Sequence, residues 1–220
     1  MIAAAVPMKP FAQAKQRLSG VLGPADRQRL VLAMLGDVLA ALRDKPEVGR
    51  TFVVTADPEV AAFAARFGAI HIPEGTTTGL NGAVEAAAAH LEAQGVSTMI
   101  VVPGDVPFAP PAEIGQLASV ALGNGIGIAP ADDMDGTNAL VLSPPAALVP
   151  AFGPSSYRRH LAAAREAGFE PVTIRLAGLG RDIDLPSDLH DLVRRLDSHP
   201  GYGFLQAAIA RTGHKEAESV

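Results

Sequence analysis

Three cations stand close together near the N-terminus, Lys9, Lys15 and Arg17, with no acid between them. Cations in a loop after a strand suit a polyphosphate held at the strand end, and they also read as an ordinary exposed basic loop. Asp105 closes Val101-Val102-Pro103-Gly104-Asp105. A carboxylate just beyond a buried strand is placed to hold Mg²⁺ beside a phosphate, or to bond locally within a turn. Asp182 and Asp184 flank Ile183. Residues two apart in an extended segment share a face, so both carboxylates can meet one site; the competing reading makes Asp184 or Ser187 the cap of a helix at Pro186. Asp133 and Asp135, beside Gly136, read more simply as a solvated turn. D-x-D alone is a weak motif.

Gly79-Leu80-Asn81-Gly82 lets backbone approach a base while Asn81 hydrogen-bonds it, or it is a helix start capped by Asn81. Thr137, and Gly153 and Ser156 within Phe152-Gly153-Pro154-Ser155-Ser156, offer hydroxyls and a turn before a helix. A small phosphate or carboxylate fits such an N-terminus, and a plain cap at Ser155 is the alternative. The chain lacks G-x-x-x-x-G-K-S/T, G-x-G-x-x-G and G-x-S-x-G, and its six His show no metal-ligand spacing. A P-loop, a standard dinucleotide fold and acyl transfer are therefore disfavoured.

The elements that must position these residues alternate along the chain. Strands are expected over residues 2–6, 51–55, 69–72, 98–102, 125–129, 139–142 and 171–175, where short apolar runs occur. Helices are expected from Pro24, from Pro58 behind an Asp57 cap, through His90, after Pro110, over 155–167 and over 186–196. Residues 212–220 read as a frayed tail. Such alternation predicts a three-layer, Rossmann-like α/β fold, a mostly parallel sheet with helices on both faces. Its ligands sit at the carboxyl ends of the strands, so the loops after the first, third and fourth strands should converge on one cleft.

Composition supports that reading. Of 220 residues 48% are hydrophobic, 5% aromatic and 19% charged, and mean hydropathy is +0.22. The chain reads as one ordered domain, 1–220, with a core of Ala, Leu, Val and Ile. Cysteine is absent, which excludes disulfides, thiolate metal sites and a thiol nucleophile. The net charge of −5 argues against nucleic acid as a partner. The start, Met-Ile-Ala-Ala-Ala-Val-Pro, has no basic lead and too short an apolar run for a signal or a membrane span, so the expectation is a cytoplasmic protein. The apolar-leaning stretch 202–209 either packs across a homodimer or closes the chain's own core.

Taken together, Pro7-Met8-Lys9, Ala14-Lys15-Gln16-Arg17-Leu18, Gly79-Leu80-Asn81, Pro103-Gly104-Asp105-Val106-Pro107, Asp135-Gly136-Thr137-Asn138, Phe152 to Ser156 and Arg181-Asp182-Ile183-Asp184 resemble one family in order and spacing. That family is the phospholactate guanylyltransferases (CofC/FbiD type) of coenzyme F-420 biosynthesis. The resemblance implies a nucleotide-diphospho-sugar transferase (GT-A, MobA-like) fold. It implies that Lys9, Lys15 and Arg17 face the GTP phosphates, with Gly79, Leu80, Asn81 and Gly104 also at the nucleotide. It assigns Mg²⁺ to Asp105, Asp182 and Asp184, catalysis to Lys9, Lys15 and Asp105, and the acceptor acid to Thr137, Gly153 and Ser156. The acceptor would be phosphoenolpyruvate, 3-phosphoglycerate or 2-phospholactate. A phosphate nucleophile needs no general base, so the lack of a Ser, Cys or His nucleophile agrees with this chemistry. Competing readings are a sugar-phosphate or molybdopterin nucleotidyltransferase, a D-x-D glycosyltransferase on Asp133 and Asp135, and a non-catalytic nucleotide-binding module.

Overall fold

The computed structural model describes residues 1–76, 79–123, 125–194 and 200–217. Its strands are β1 (Ile2–Pro7), β2 (Val48–Thr55), β3 (Ile70–Pro73), β4 (Thr98–Val101), β5 (Gly127–Pro130), β6 (Thr137–Leu142) and β7 (Val172–Thr173). Its helices are α1 (Pro24–Arg43), α2 (Pro58–Ala65), α3 (Gly79–Ala93), α4 (Pro111–Leu122), α5 (Ser156–Glu166), α6 (Pro186–Arg194) and α7 (Phe204–Ala217). The strands form one sheet in the order β3-β2-β1-β4-β6-β5-β7. Strand β6 is antiparallel to both its neighbours, and every other pairing is parallel. The α/β class expected from the sequence is the one observed.

Strand β1 shows why the sheet carries helices on both faces. Ala4 and Val6 face a core built with Leu35, Val38, Leu39 and Leu42 of α1 and Ile114 and Leu117 of α4. Ala3 and Ala5 face the opposite core, with Val84, Ala87 and Leu91 of α3 and Ala164 of α5. The period of two sorts one strand between two cores. Helix α1 starts at Pro24 behind an extended Gly23, and its leucines recur at helical spacing. Full burial of each of Leu35, Leu39 and Leu42 stabilises by roughly 1.5–3 kcal/mol.

A third apolar cluster closes one end. Tyr202, Leu205 and Ala208 are buried with Leu18, Leu22, Leu30 and Met34, and the Tyr202 hydroxyl donates to Asp37 Oδ2 at 2.5 Å. The stretch 202–209 thus closes the chain's own core. The backbone is helical to Ala217, beyond Thr212 where a tail was expected. Residues 218–220, and 195–199 at the end of the helix expected over 186–196, lie outside the described residues. No helix among the described residues is long and apolar enough to cross a membrane.

Because the chain moves outward from β1 to β3 and then crosses back to β4, the order reverses between β1 and β4. Loops diverge at such a point and leave a crevice at the carboxyl ends of the strands. The reversed β6 brings its N-terminal residue, Thr137, to that same edge.

Candidate active site

A cleft of about 550 Å³ opens there. Of the residues that the resemblance assigns to the site, all but Asn81 line it: Lys9, Lys15, Arg17, Gly79, Leu80, Gly104, Asp105, Thr137, Gly153, Ser156, Asp182 and Asp184.

The loop after β1 is pinned at both ends. Met8 N–H donates to the Val54 carbonyl at 2.9 Å, and Phe11 N–H donates to Asp57 Oδ2 at 3.0 Å. Asp57 Oδ1 meanwhile caps α2 by accepting from Glu59 N–H. Two short 3₁₀ turns, Phe11–Gln13 and Gln16–Leu18, follow, and Lys15 between them is left-handed (φ 51°, ψ 39°). That conformation costs a non-glycine residue about 1 kcal/mol. It turns the side chain inward, where Nζ donates to Asp105 Oδ2 at 2.6 Å and Asp184 Oδ1 at 2.7 Å. The Lys15 side chain is only 6% exposed. Arg17 is the looser cation, 3.9 Å from Asp184, and Lys9 is exposed at the rim.

The aspartates come from two loops. Asp105 follows β4, and its carbonyl accepts from Ile183 N–H at 3.2 Å. Ile183 is buried, and Asp182 and Asp184 on either side of it turn to the cleft, as the alternation predicts. Neither Asp184 nor Ser187 caps α6. Asp188 does, its Oδ2 accepting from the N–H groups of Asp184 (2.9 Å) and Leu185 (2.7 Å). Asp184 is thereby left to Lys15. The segment 176–184 is clamped further by buried Glu113, which accepts from Gly178 and Leu179 N–H at 2.8 Å each. Asn138 Nδ2 donates to the Leu179 carbonyl at 2.9 Å. Gly178 has no room for a Cβ, which would strike the Phe108 carbonyl.

Charge in this cluster is uneven. Burial works against ionising Asp184, but Lys15, with Arg17 and Lys9, overrides it and holds the carboxyl below its ordinary value. Asp182 is pushed up, first by burial and then by Asp105 and Asp184. Lys15 is raised: burial opposes its charge and the two carboxylates outweigh that. Among the described residues no three His, Asp or Glu groups stand as a ready metal-ligand set, and the Lys15 ammonium bridges Asp105 and Asp184. The donors nevertheless fit a hard divalent cation: all are carboxylate oxygens, and Asp182 faces two like charges.

The opposite wall is built of turns and small residues. Asp133 Oδ1 accepts from the N–H groups of Asp135 and Gly136, and Asp135 accepts from both the N–H and the hydroxyl of Ser155 at 2.8 and 3.0 Å. Those bonds from Ser155 hold the Asp135 carboxyl below its ordinary value. They also hold Ser155 left-handed (φ 55°), next to Gly153 at φ 114°. The two aspartates are thus structural members of turns, as their turn reading expects. Ser156 opens α5 with Pro154 and Ser155 before it, and its hydroxyl makes no bond to the protein among the described residues. Thr137 bonds His160, which is buried on α5 and belongs to none of the motifs named above.

At the third wall Gly79 (φ 87°) donates its N–H to Glu74 Oε1 at 2.8 Å, and Leu80 is half-buried against the cleft. The Asn81 side chain turns elsewhere. Its Oδ1 accepts from Phe152 N–H at 2.7 Å and its Nδ2 points to the Phe152 carbonyl at 3.4 Å. It ties two walls together, and Glu74 is the carboxylate that lines the cleft beside Gly79.

A family model described as "Guanylyl transferase CofC like" matches residues 2–216. The chain is 39% identical to the phosphoenolpyruvate guanylyltransferase of Sphaerobacter thermophilus over 189 residues, 86% of this chain and 91% of that one. It is 35% identical to the enzyme of the same name from Conexibacter woesei over 200 residues, 90% of each chain. Among solved structures, a protein assigned as a nucleotide-diphospho-sugar transferase from Desulfovibrio desulfuricans G20 superposes with a TM-score of 0.77 at 17% identity, covering 96% of this chain and 97% of that one. That likeness speaks for the fold.

Proposed function

Because the chain belongs to the CofC-like guanylyl transferase family, and is thus a nucleotidyltransferase acting on a phospho-acid, we propose that it moves GMP from GTP to the phosphate of phosphoenolpyruvate. The observation that carries this is a cleft with two unlike walls: cations and carboxylates interlocked on one side, and small hydroxyl-bearing residues at a helix start on the other. The first wall suits a polyanion and the second a compact acid.

In this reading Lys9, Lys15 and Arg17 neutralise the GTP phosphates, with the Gly104 backbone beside them. The base lies against Gly79 and Leu80. Asp105, Asp182 and Asp184 would hold Mg²⁺, which when bound would neutralise charge developing on the triphosphate. Thr137, Gly153 and Ser156 grip the acceptor. An oxygen of the acceptor phosphate attacks the α-phosphorus of GTP. The bond from that phosphorus to the β-phosphate bridging oxygen breaks, and pyrophosphate leaves with the electron pair. No proton has to be removed from an acceptor phosphate that is ionised near neutral pH, so the residues' task is alignment and charge neutralisation. The product would be a guanylylated enolpyruvyl phosphate, an activated precursor for coenzyme F-420 as the family resemblance implies.

The test is pyrophosphate release with GTP and Mg²⁺ across phosphoenolpyruvate, 3-phosphoglycerate, 2-phospholactate and a hexose 1-phosphate. Highest kcat/KM for phosphoenolpyruvate is expected. A preference for the hexose phosphate would overturn the proposal in favour of a sugar nucleotidyltransferase. A D-x-D glycosyltransferase finds no support in Asp133 and Asp135, whose oxygens hold turns.

A further inference from the structure

We propose that His160 is a positioning residue of the acceptor pocket, one that fixes Thr137 as a hydrogen-bond donor facing the cleft. The inference rests on the reading of Thr137 as an acceptor-binding residue.

The argument starts from a bond whose direction is not in question. The Ala151 backbone N–H can only donate, and it meets His160 Nε2 at 2.9 Å. That nitrogen must offer a lone pair. In a neutral imidazole the proton then sits on Nδ1, which lies 3.0 Å from Thr137 Oγ1. His160 therefore donates to Thr137. The ring is fully buried, and the burial and the charge on neighbouring Arg159 hold its pKa down to about 4, so the neutral form prevails near pH 7.

Thr137 Oγ1 is thus occupied as an acceptor from behind. Its own proton has no other protein partner among the described residues, and the residue lines the cleft. A threonine hydroxyl free to rotate can present either a proton or a lone pair. Here the ring N–H takes one lone pair, so the proton cannot point back at His160 and is turned toward the remaining directions, where an anionic oxygen in the cleft can accept it. The same ring meets Phe152 edge-on at 4.9 Å between centroids, and its bond to Ala151 secures the backbone leading into Gly153. One buried side chain on α5 thereby aligns the two sides of the small pocket, Thr137 on β6 and the turn before α5.

Two amide replacements separate the two bonds. In His160→Asn the side-chain amide falls at the level of Nδ1 and can still donate to Thr137, with the Ala151 bond lost. In His160→Gln it falls at the level of Nε2 and can still accept from Ala151, with the donor to Thr137 lost. Each is assayed alone and with Thr137→Val, with phosphoenolpyruvate and GTP varied in turn and folding checked by thermal unfolding. Thr137→Val should raise KM for phosphoenolpyruvate about tenfold and His160→Gln several-fold, with His160→Asn, which keeps the donor to Thr137, raising it less than His160→Gln. KM for GTP should stay within about twofold throughout, and His160→Gln should add little once Thr137 is Val. If Thr137→Val leaves the acceptor KM unchanged, the reading of the pocket fails. If Thr137→Val acts but His160→Gln does not, or the two simply add, the role of His160 fails alone. Should the His160 variants not fold, nitrogen NMR of the wild-type ring decides: Nδ1 protonated with Nε2 bare supports the proposal, and the opposite tautomer overturns it.

Discussion

Replacing Lys15 by Met keeps the apolar stem of the side chain and removes its charge. In the native site Nζ lies 2.6 Å from Asp105 and 2.7 Å from Asp184, with the lysine 6% exposed and the two carboxylates 31% and 43%. Removing one partner of a buried ion pair costs about 3–5 kcal/mol, because the remaining charge is left unpaired. Here water reaches both carboxylates and takes up much of that loss, so we expect a destabilisation of about 1–2 kcal/mol at pH 7. For a chain of this size that lowers Tm by roughly 3–6 °C. The dependence on pH has a definite sign. Lys15 helps hold Asp184 below its ordinary value of 3.8 despite burial, so the pairing stabilises fully above that value and fades as pH falls through the lower native one. Without Lys15 the carboxyl rises, and the deficit of the variant should be largest at neutral pH and shrink in acid. Turnover at saturating GTP should fall about 10²- to 10³-fold, as loss of a preorganised charge at a phosphoryl centre does. Denaturant unfolding at several pH values, beside pyrophosphate release, measures both effects. A variant as stable as wild type at pH 7, or one whose deficit grows in acid, would refute this account of the site.

Three further outcomes follow from other contacts. Glu113→Gln puts an amide NH₂ against one of the two N–H groups that the carboxylate now accepts; stability should fall by about 1–3 kcal/mol and turnover about tenfold, measured by unfolding and steady-state rates. If neither moves, the clamp on the loop carrying Asp182 and Asp184 is not needed. His160 has its pKa lowered from 6.5 to about 4, first by burial and then by Arg159. The unfolded chain therefore takes up a proton below pH 6.5 that the native one refuses, and about 3 kcal/mol of stability present above 6.5 is lost by pH 4. His160→Asn should lack that loss, and a wild-type-minus-variant difference that does not change with pH contradicts it. Finally, guanine offers two donors on one edge where adenine offers an acceptor and a donor, so the Glu74 carboxylate beside Gly79 should favour GTP. Glu74→Gln should cut the GTP-to-ATP ratio of kcat/KM by roughly tenfold, and an unchanged ratio assigns the base elsewhere.

Much of the cleft was legible because its residues sit where local patterns end. Val101-Val102-Pro103-Gly104-Asp105 marks a strand end, and the alternation around Ile183 shows two carboxylates on one face. What the pattern could not show is which distant group each side chain meets. Asn81 reads as a base contact or a helix cap, and neither reading shows that both ends of its amide meet Phe152, 71 residues away. Lys15 reads as a phosphate ligand or as part of an exposed basic loop, because nothing local marks a non-glycine residue as left-handed, and only the loops bearing Asp105 and Asp184 reveal why it turns inward. Glu113 reads as a charged residue in the first turn of a helix, and its partners at 178 and 179 are invisible from there. His160 did leave a trace. It lies four residues from Ser156 and so on the same face of α5, a spacing that marks a neighbour of the candidate pocket even though it is no metal spacing. The helical run from Phe204 to Ala217 mixes Gln, Arg, Thr, Gly, His, Lys and Glu with its apolar residues, and Leu205 and Ala208 are buried where it meets α1 and α6.

In the proposed reading, the reversed direction of β6 makes the acceptor half of the cleft contiguous in sequence. The turn before β6, the strand itself, the Phe152–Ser155 turn and the start of α5 run without interruption from about Ala131 to His160, whereas the nucleotide half is gathered from loops scattered between Pro7 and Asp184. An exchange of residues 131–160 between members of the family would carry Thr137, Gly153, Ser156 and His160 together. Its seams include the Asn81 amide on Phe152, the Asn138 amide on Leu179, the Arg181–Asp132 ion pair and the strand pairing of β6 with β4 and β5. Selectivity for the acid could thus diverge in evolution, or be regrafted in the laboratory, while the guanylyl-transferring machinery stays as it is.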